Sequence, residues 1–219
     1  MKTAILFGAT GLVGGHLLNL LVNSNEYDKI KIFSRKYIET KNPKIEKYVI
    51  DFNELEKHKD EIVGDDCFFA IGTTRRLTPD KNDYIDVEFN LPVKISKIAK
   101  NNNVKSFIYV SSGGANANSR NLYLQNKGKA EKEIIDLSFE FTAIIQPSLL
   151  LGNRKENRIV EKIAKFIFQI LSIIFIGKLR PFKAIHATNV AKAIMHITKN
   201  QLKDLFFTSD KLEDFSLIK

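Results

Sequence analysis

Along this chain the spacing of apolar residues changes in a repeating way. Residues 3–7 read as a strand, with a short continuous apolar run over residues 4–7. Gly8, Gly11 and Gly14 follow, interleaved with Leu12, Val13, Leu17, Leu18, Leu20 and Leu21 at helical spacing. A short apolar run and then a 3.6-residue period predict a strand, a glycine turn and a helix. Further strands are expected over residues 29–33, 47–50, 67–71, 105–110 and 141–146. Between them, Asn53 and Glu56 have the spacing of a capping box opening a helix to Val63. Helices are also expected over residues 84–100, with Pro92 as a kink or restart point, and over residues 122–137. Strands alternating with helices imply an α/β fold, a Rossmann-type doubly wound parallel sheet with helices on both faces. Ligands of such sheets bind across the carboxyl ends of the strands. Gly8 to Gly14, Arg35, Gly72, Ser111, Ser112 and Pro147 all fall there.

The glycines say what kind of ligand. At intervals of three after a strand, they allow a sharp turn, close approach of the backbone to a pyrophosphate, and tight packing of the helix on the sheet. The helix that follows directs its N-terminal N–H groups and positive dipole end at phosphate. The second strand ends in Ser34-Arg35-Lys36 without an acidic neighbour. An acidic side chain there suits the ribose hydroxyl of NAD, whereas arginine accommodates a 2′-phosphate. NADP(H) is therefore expected ahead of NAD(H), the alternative being a basic pair on the surface. Asp51 and Phe52, after the third strand, are placed to meet an adenine ring by hydrogen bond and packing. Gly72 either lets the backbone run against a ribose or simply turns the chain.

Composition narrows the picture further. The 219 residues carry a net charge of +9, but the lysines are scattered among many Asn and Ile residues. That distribution fits a solvated basic surface better than a nucleic-acid footprint. The length suggests one domain, residues 1–219, with about 152–185 forming a small substrate-side segment towards the C-terminus. The single cysteine, Cys67, lies in an apolar run, which excludes an internal disulfide framework and suggests a reducing compartment. The first apolar run is too short for a signal peptide, so a cytoplasmic protein is expected. His16, His58, His186 and His196 show no ligand clustering, and no metal is expected. From Arg158 to Ile176, a polar stripe of Arg158, Glu161, Lys162, Lys165, Gln169 and Ser172 opposes an isoleucine-rich face. That stretch is too short and too polar for the ~20 apolar residues of a membrane span. It is expected to cover the substrate end of the sheet, a membrane-touching or subunit-facing helix being the alternative.

Three tyrosines have a lysine four residues on: Tyr27 with Lys31, Tyr37 with Lys41, and Tyr123 with Lys127. Chance alone produces such pairs in a lysine-rich chain, so context decides. The first pair brackets a strand, where four residues span ~13 Å, and the second lies in a polar connection before Pro43. Only Tyr123 and Lys127 open a helix, where i and i+4 share a face, and only they follow a strand ending in serines. A tyrosine of reference pKa near ~10 becomes a usable acid–base group when an ammonium one turn away stabilises its phenolate. Ser112, with Ser111 as the alternative, would orient a substrate oxygen beside it.

Four runs, Ile71-Gly-Thr-Thr-Arg75, Ser111-Ser-Gly-Gly-Ala115, residues 121–128 and residues 146–158, carry a more specific likeness. Together they resemble the Tat-interacting-protein-like branch of the atypical short-chain dehydrogenases, in order from residue 3 to about 200. The resemblance implies that Thr10, Gly11, Leu12 and Val13 contact a pyrophosphate, that Arg35 and Lys36 contact a 2′-phosphate, and that Ile71 and Gly72 line a ribose. Tyr123, Lys127, Leu150 and Arg158 would complete the cofactor and catalytic site. Leu12-Val13 and Gln146 depart from the polar and Arg-Pro versions of the pattern. The implied activity is reduction of a carbonyl, or oxidation of an alcohol, by a monomer or homodimer. The competing class is an NADPH-sensing regulator acting through other proteins.

Overall fold

The computed structural model describes residues 2–152 and 182–218. β1 (Lys2–Phe7) leads through the glycine turn into α1 (Leu12–Asn23), then β2 (Tyr27–Ser34), β3 (Ile45–Val49), 3₁₀ turns over Phe52–Glu61, and β4 (Asp66–Phe69). α2 (Lys81–Ile85) passes through one π-type turn, Asp86–Asn90, into α3 (Leu91–Asn101). β5 (Ser106–Val110), α4 (Leu122–Asp136), β6 (Phe141–Gln146) and β7 (Leu150–Leu151) come next. The last elements are β8 (Ile185–His186), α5 (Ala187–Asn200), β9 (Phe206–Thr208) and α6 (Ser209–Ser216). Seven strands make one sheet in the order β3-β2-β1-β4-β5-β6-β9, and every pairing in it is parallel. This is the doubly wound Rossmann-type arrangement expected from the sequence.

The order reverses between β1 and β4, where chain crossovers leave in opposite directions and open a crevice at the carboxyl edge. Both faces are covered, which is why the central strands are apolar at consecutive positions rather than alternate ones. Ala4 and Leu6 pack with Val13, Leu17 and Leu21 of α1 and with Val190, Ile194 and Ile197 of α5. Ile5 and Phe7 face the other way, toward Val93, Ile95 and Ala99 of α3 and Ala130 and Ile134 of α4. On that second face Phe7 stacks on Phe33 at 4.9 Å, and Phe33 on Tyr48 at 4.6 Å.

Three details differ from the sequence reading. The helix expected from Asn53 is a 3₁₀ run capped two residues earlier, by Asp51, whose carboxylate accepts from the Asn53 N–H at 2.9 Å. Asp51 satisfies that donor through a two-residue Asx turn, and the run is interrupted at Glu54, which leaves helical geometry. The helix expected over residues 84–100 begins at Lys81, because Asp80 accepts from the N–H groups of both Asn82 and Asp83. Pro92 follows directly on the π-type turn, at the second residue of α3, so the irregularity falls just ahead of the proline. Finally, the chain beyond residue 185 extends the main sheet: β9 pairs with β6, and α5 lies against α1 and α6. The amphipathic stretch expected over residues 158–176, with Arg158, lies outside the described residues.

Candidate functional site at the carboxyl edge

The first loop of the crevice is built on backbone contacts. Gly8 has φ of +94°, and a Cβ there would stand 2.6 Å from the carbonyl carbon and oxygen of Ala70 at the end of β4. A Cβ on Gly14 would overlap the Gly8 carbonyl oxygen, so α1 sits closer to the turn than any side chain allows. The Gly11 N–H donates to the Gly8 carbonyl at 2.8 Å. Gly11 also stands at the N-cap of α1, where no side chain caps the helix. Its first-turn N–H groups have no intrahelical acceptor. Thr10 and Gly11 are exposed, Leu12 is half-buried, and Val13 and Gly14 are buried. Around the same edge, Arg35 and Lys36 are exposed beyond β2, and the Ser34 hydroxyl donates to the Lys36 carbonyl at 2.7 Å. Asp51 is exposed at the end of β3, while Phe52 turns into the core with its ring 6.3 Å from that of Phe7. Ile71 is half-buried and Gly72 exposed after β4. Pro147 is buried, its carbonyl accepting from the Gly113 N–H at 2.8 Å, and Leu150 pairs with Ile185.

Asn121 caps α4 through its side chain, which accepts from the N–H groups of Tyr123 and Leu124. That cap fixes Tyr123 in the first turn and Lys127 one turn on. A Cβ on Gly128 would overlap the Asn116–Ala117 backbone, so the helix lies tight against the loop that follows the β5 serines. Lys127 is 2 % exposed. Its Nζ stands 3.0 Å from Glu88 Oε2, donates to the Val110 carbonyl at 3.3 Å, and lies 4.9 Å from the centroid of the Tyr109 ring. Burial opposes its charge, but the oxygens of Tyr109, Glu88 and Tyr123 outweigh burial and raise its pKa. Burial also pushes Tyr109 and Tyr84 up to about 12 each. Tyr123 is half-buried, and among the described residues its hydroxyl has no hydrogen-bond partner.

The two serines differ. The Ser111 hydroxyl is buried and donates to Glu131 Oε1, which also receives the Gln146 amide at 2.9 Å. The Ser112 hydroxyl is half-buried, and its one contact is a long 3.4 Å approach to the Gly113 carbonyl. Glu88 and Glu131 were missed by the sequence reading. Each lies on the apolar face of a helical period, Glu88 in the series Tyr84, Glu88, Leu91, Ile95 and Glu131 among Lys127, Ala130 and Ile134. A carboxylate at such a position is the signal that could have found them. Glu88 is fully buried, and its Oε1 accepts from the Thr73 N–H at 2.6 Å. Its place inside a π-type turn is a second signal, one visible only in the structure.

A glycine turn without side chains, a helix start without a cap and an exposed glycine beside a buried cation define a nucleotide-binding Rossmann protein. The sequence model of the NAD(P)H-binding family matches residues 8–172, and this chain belongs to that family, within the atypical short-chain dehydrogenase branch. It is 32% identical over 207 residues to the mitochondrial protein FMP52 of Debaryomyces hansenii, covering 91% of this chain and 89% of that protein. It is 30% identical over 171 residues to HTATIP2 of Rattus norvegicus, covering 76% and 70%. Among solved structures, the UDP-N-acetylglucosamine 4-epimerase of Methanobrevibacter ruminantium matches with TM-score 0.69 and 16% identity, over 97% of this chain and 80% of that one. That likeness concerns the fold. The FMP52 relatives are mitochondrial by name, and that finding overturns the cytoplasmic expectation. Among the described residues no helix is long and apolar enough to cross a membrane.

Proposed function

We propose that this protein is an NADP(H)-dependent oxidoreductase that reduces a small carbonyl compound, with Tyr123 as the proton donor. The observation that carries this reading is the buried, charged Lys127 one helical turn from a tyrosine hydroxyl left without a partner among the described residues. A regulator that only senses the nucleotide has no use for that pair. Gly8, Thr10, Gly11, Leu12, Val13 and Gly14 would hold the pyrophosphate, by backbone N–H groups and the dipole of α1. Asp51 and Phe52 would border the adenine, Ile71 and Gly72 the ribose, and Pro147 and Leu150 the nicotinamide end. Bound there, the nicotinamide supplies the hydride. The protein supplies the rest. Ser112, whose hydroxyl makes only one long contact, would orient the carbonyl oxygen, and Ser111, held by Glu131, would stiffen the strand end behind it. Tyr123 would give its proton to that oxygen as it gains charge, and Lys127 would stabilise the phenolate left behind.

Arg35 and Lys36, exposed and without ion pairs among the described residues, would select a 2′-phosphate. Arg35→Asp is expected to weaken NADPH binding by about 10- to 150-fold, the loss of a charge-assisted contact of ~1.5–3 kcal/mol. NADH binding should change far less. Calorimetry with both nucleotides checks the preference, and a panel of aldehydes, ketones and quinones with NADPH checks the chemistry. Equal affinity of the wild type for NADH and NADPH sinks the first, and absence of nucleotide oxidation across the panel sinks the second.

A further inference from the structure

Glu88 is a carboxylate with no exposure, set in the π-type turn between α2 and α3 and shared between two elements of the site. One oxygen accepts from the backbone of Thr73, just past Gly72, and the other faces the Lys127 ammonium. A Cβ placed on Gly72 would stand 3.6 Å from Glu88 Oε1 and 4.0 Å from Lys127 Nζ. The exposed glycine, the carboxylate and the ammonium therefore meet at one point. A buried charge pair is a poor source of stability compared with apolar packing, and its best use is to fix geometry. Here Glu88 is the one carboxylate on a helix face otherwise lined by Tyr84, Leu91 and Ile95, and it sits within the π-type turn.

We propose that Glu88 is the positioning residue of the acid–base pair: it clamps the Lys127 ammonium at the junction of Gly72, Tyr109 and Tyr123. The inference rests on the reading of Tyr123 and Lys127 given above. Without the carboxylate, Lys127 would keep the burial that opposes its charge and lose the anion beside it. The other titratable and charged groups around it are Tyr109 on β5, Tyr123 and Glu131 on α4, and Tyr84 on α2, with Arg75 over the Tyr84 ring. None of these supplies a second carboxylate within ion-pair distance among the described residues.

The test is a carbon-13 NMR titration of the lysine ε-methylene groups, with the Lys127 signal identified by its loss in Lys127→Arg. In Glu88→Gln, which keeps an oxygen for the Thr73 N–H, Lys127 should release its proton at least about tenfold more readily, one pKa unit or more. In parallel, kcat for reduction of phenanthrenequinone by NADPH should fall at correspondingly lower pH on the alkaline side. Glu88→Asp should lie between wild type and Glu88→Gln. An unchanged Lys127 titration in Glu88→Gln overturns the proposal and leaves Glu88 as a stitch between loops. A shifted titration with no reduction by any of the proteins supports the clamp and counts against carbonyl reduction. Should Glu88→Gln fail to fold, Glu88→Asp keeps the charge and draws it back by one methylene. A shift there supports the clamp, and none overturns it.

Discussion

The two ends of β4 carry the same three kinds of side chain. At the amino end Tyr27, Lys2 and Asp66 meet; beyond the carboxyl end Tyr123, Lys127 and Glu88 do. At the amino end the Tyr27 hydroxyl donates directly to Asp66 at 2.8 Å, and the Lys2 ammonium, more than a third exposed, touches the same oxygen at 3.1 Å. Burial first, and the neighbouring Asp66 second, push the Tyr27 phenol far above its ordinary range. That trio is a finished hydrogen-bond network. At the carboxyl edge the order is permuted: the lysine is the buried member and stands against the carboxylate, and the tyrosine hydroxyl is left over. Identical residue types thus give a structural staple when the phenol meets the acid, and a candidate acid–base centre when the ammonium does.

The sharpest way to break this comparison is to remove one oxygen from each tyrosine. Tyr123→Phe is expected to cost ~10²–10⁴ in turnover, roughly 3–5.5 kcal/mol of transition-state stabilisation, with NADPH affinity and melting temperature close to wild type. Steady-state oxidation of NADPH measures it, and a wild-type kcat in this variant hands the site to the sensing alternative. Tyr27→Phe should do the opposite. It leaves a buried carboxylate short of one donor, which costs ~1–3 kcal/mol of stability, or roughly 2–12 °C in melting temperature for a chain of this size. Turnover per folded molecule should not change. A loss of activity without loss of stability in Tyr27→Phe erases the distinction between the two ends.

A smaller effect sharpens the carboxyl-edge side. Burial raises the Glu131 pKa, against the lowering pull of Gln146, Ser111 and Lys127. Its folded value therefore lies above its unfolded one. The stability it contributes is full below the unfolded pKa and is lost as pH rises through the folded pKa. Glu131→Gln carries no such loss. Relative to wild type the variant should gain stability between mildly acidic and neutral pH, by an amount within the ~0.5–1.5 kcal/mol of one hydrogen bond. Thermal melts across that range decide it, and a variant that instead loses ground as pH rises shows that the hydrogen bonds outweigh burial.

The fold was legible because each central strand is apolar at consecutive positions and is followed by a helical period, so β1, β2, β5 and β6 stand within two residues of their expected places. That Tyr123 and Lys127 share one helix was legible for a similar local reason. What stayed hidden depends on contacts distant in sequence. Glu88 stands 39 positions from Lys127, and the break in its helix had been expected at Pro92, not at the π-type turn that holds Glu88. Serine 111 and serine 112 are neighbours on a strand end, so alternation sends them to opposite sides, but only the presence of Glu131 under one of them says which is occupied. β9 escaped notice because three residues, one of them exposed, make too short a run to show a period.

The pairing of β7 with β8 has a consequence for how this protein can change over generations. Leu150 and Leu151 lie alongside Ile185 and His186, the Ile185 N–H donates to the Leu149 carbonyl at 3.0 Å, and the Ser148 hydroxyl donates to the Phe182 carbonyl at 2.7 Å. The chain therefore departs from the sheet and rejoins it through a tied neck. Whatever length of sequence is spliced between the two sides of such a neck, the strands before and after it keep their register. Doubling that length adds only ~0.6 kcal/mol of closure entropy. Insertions, deletions or wholesale replacement between these short strands can accumulate while β6 and β9 stay paired. The neck is thus the place where descendants of this sequence can change in length without having to refold the rest.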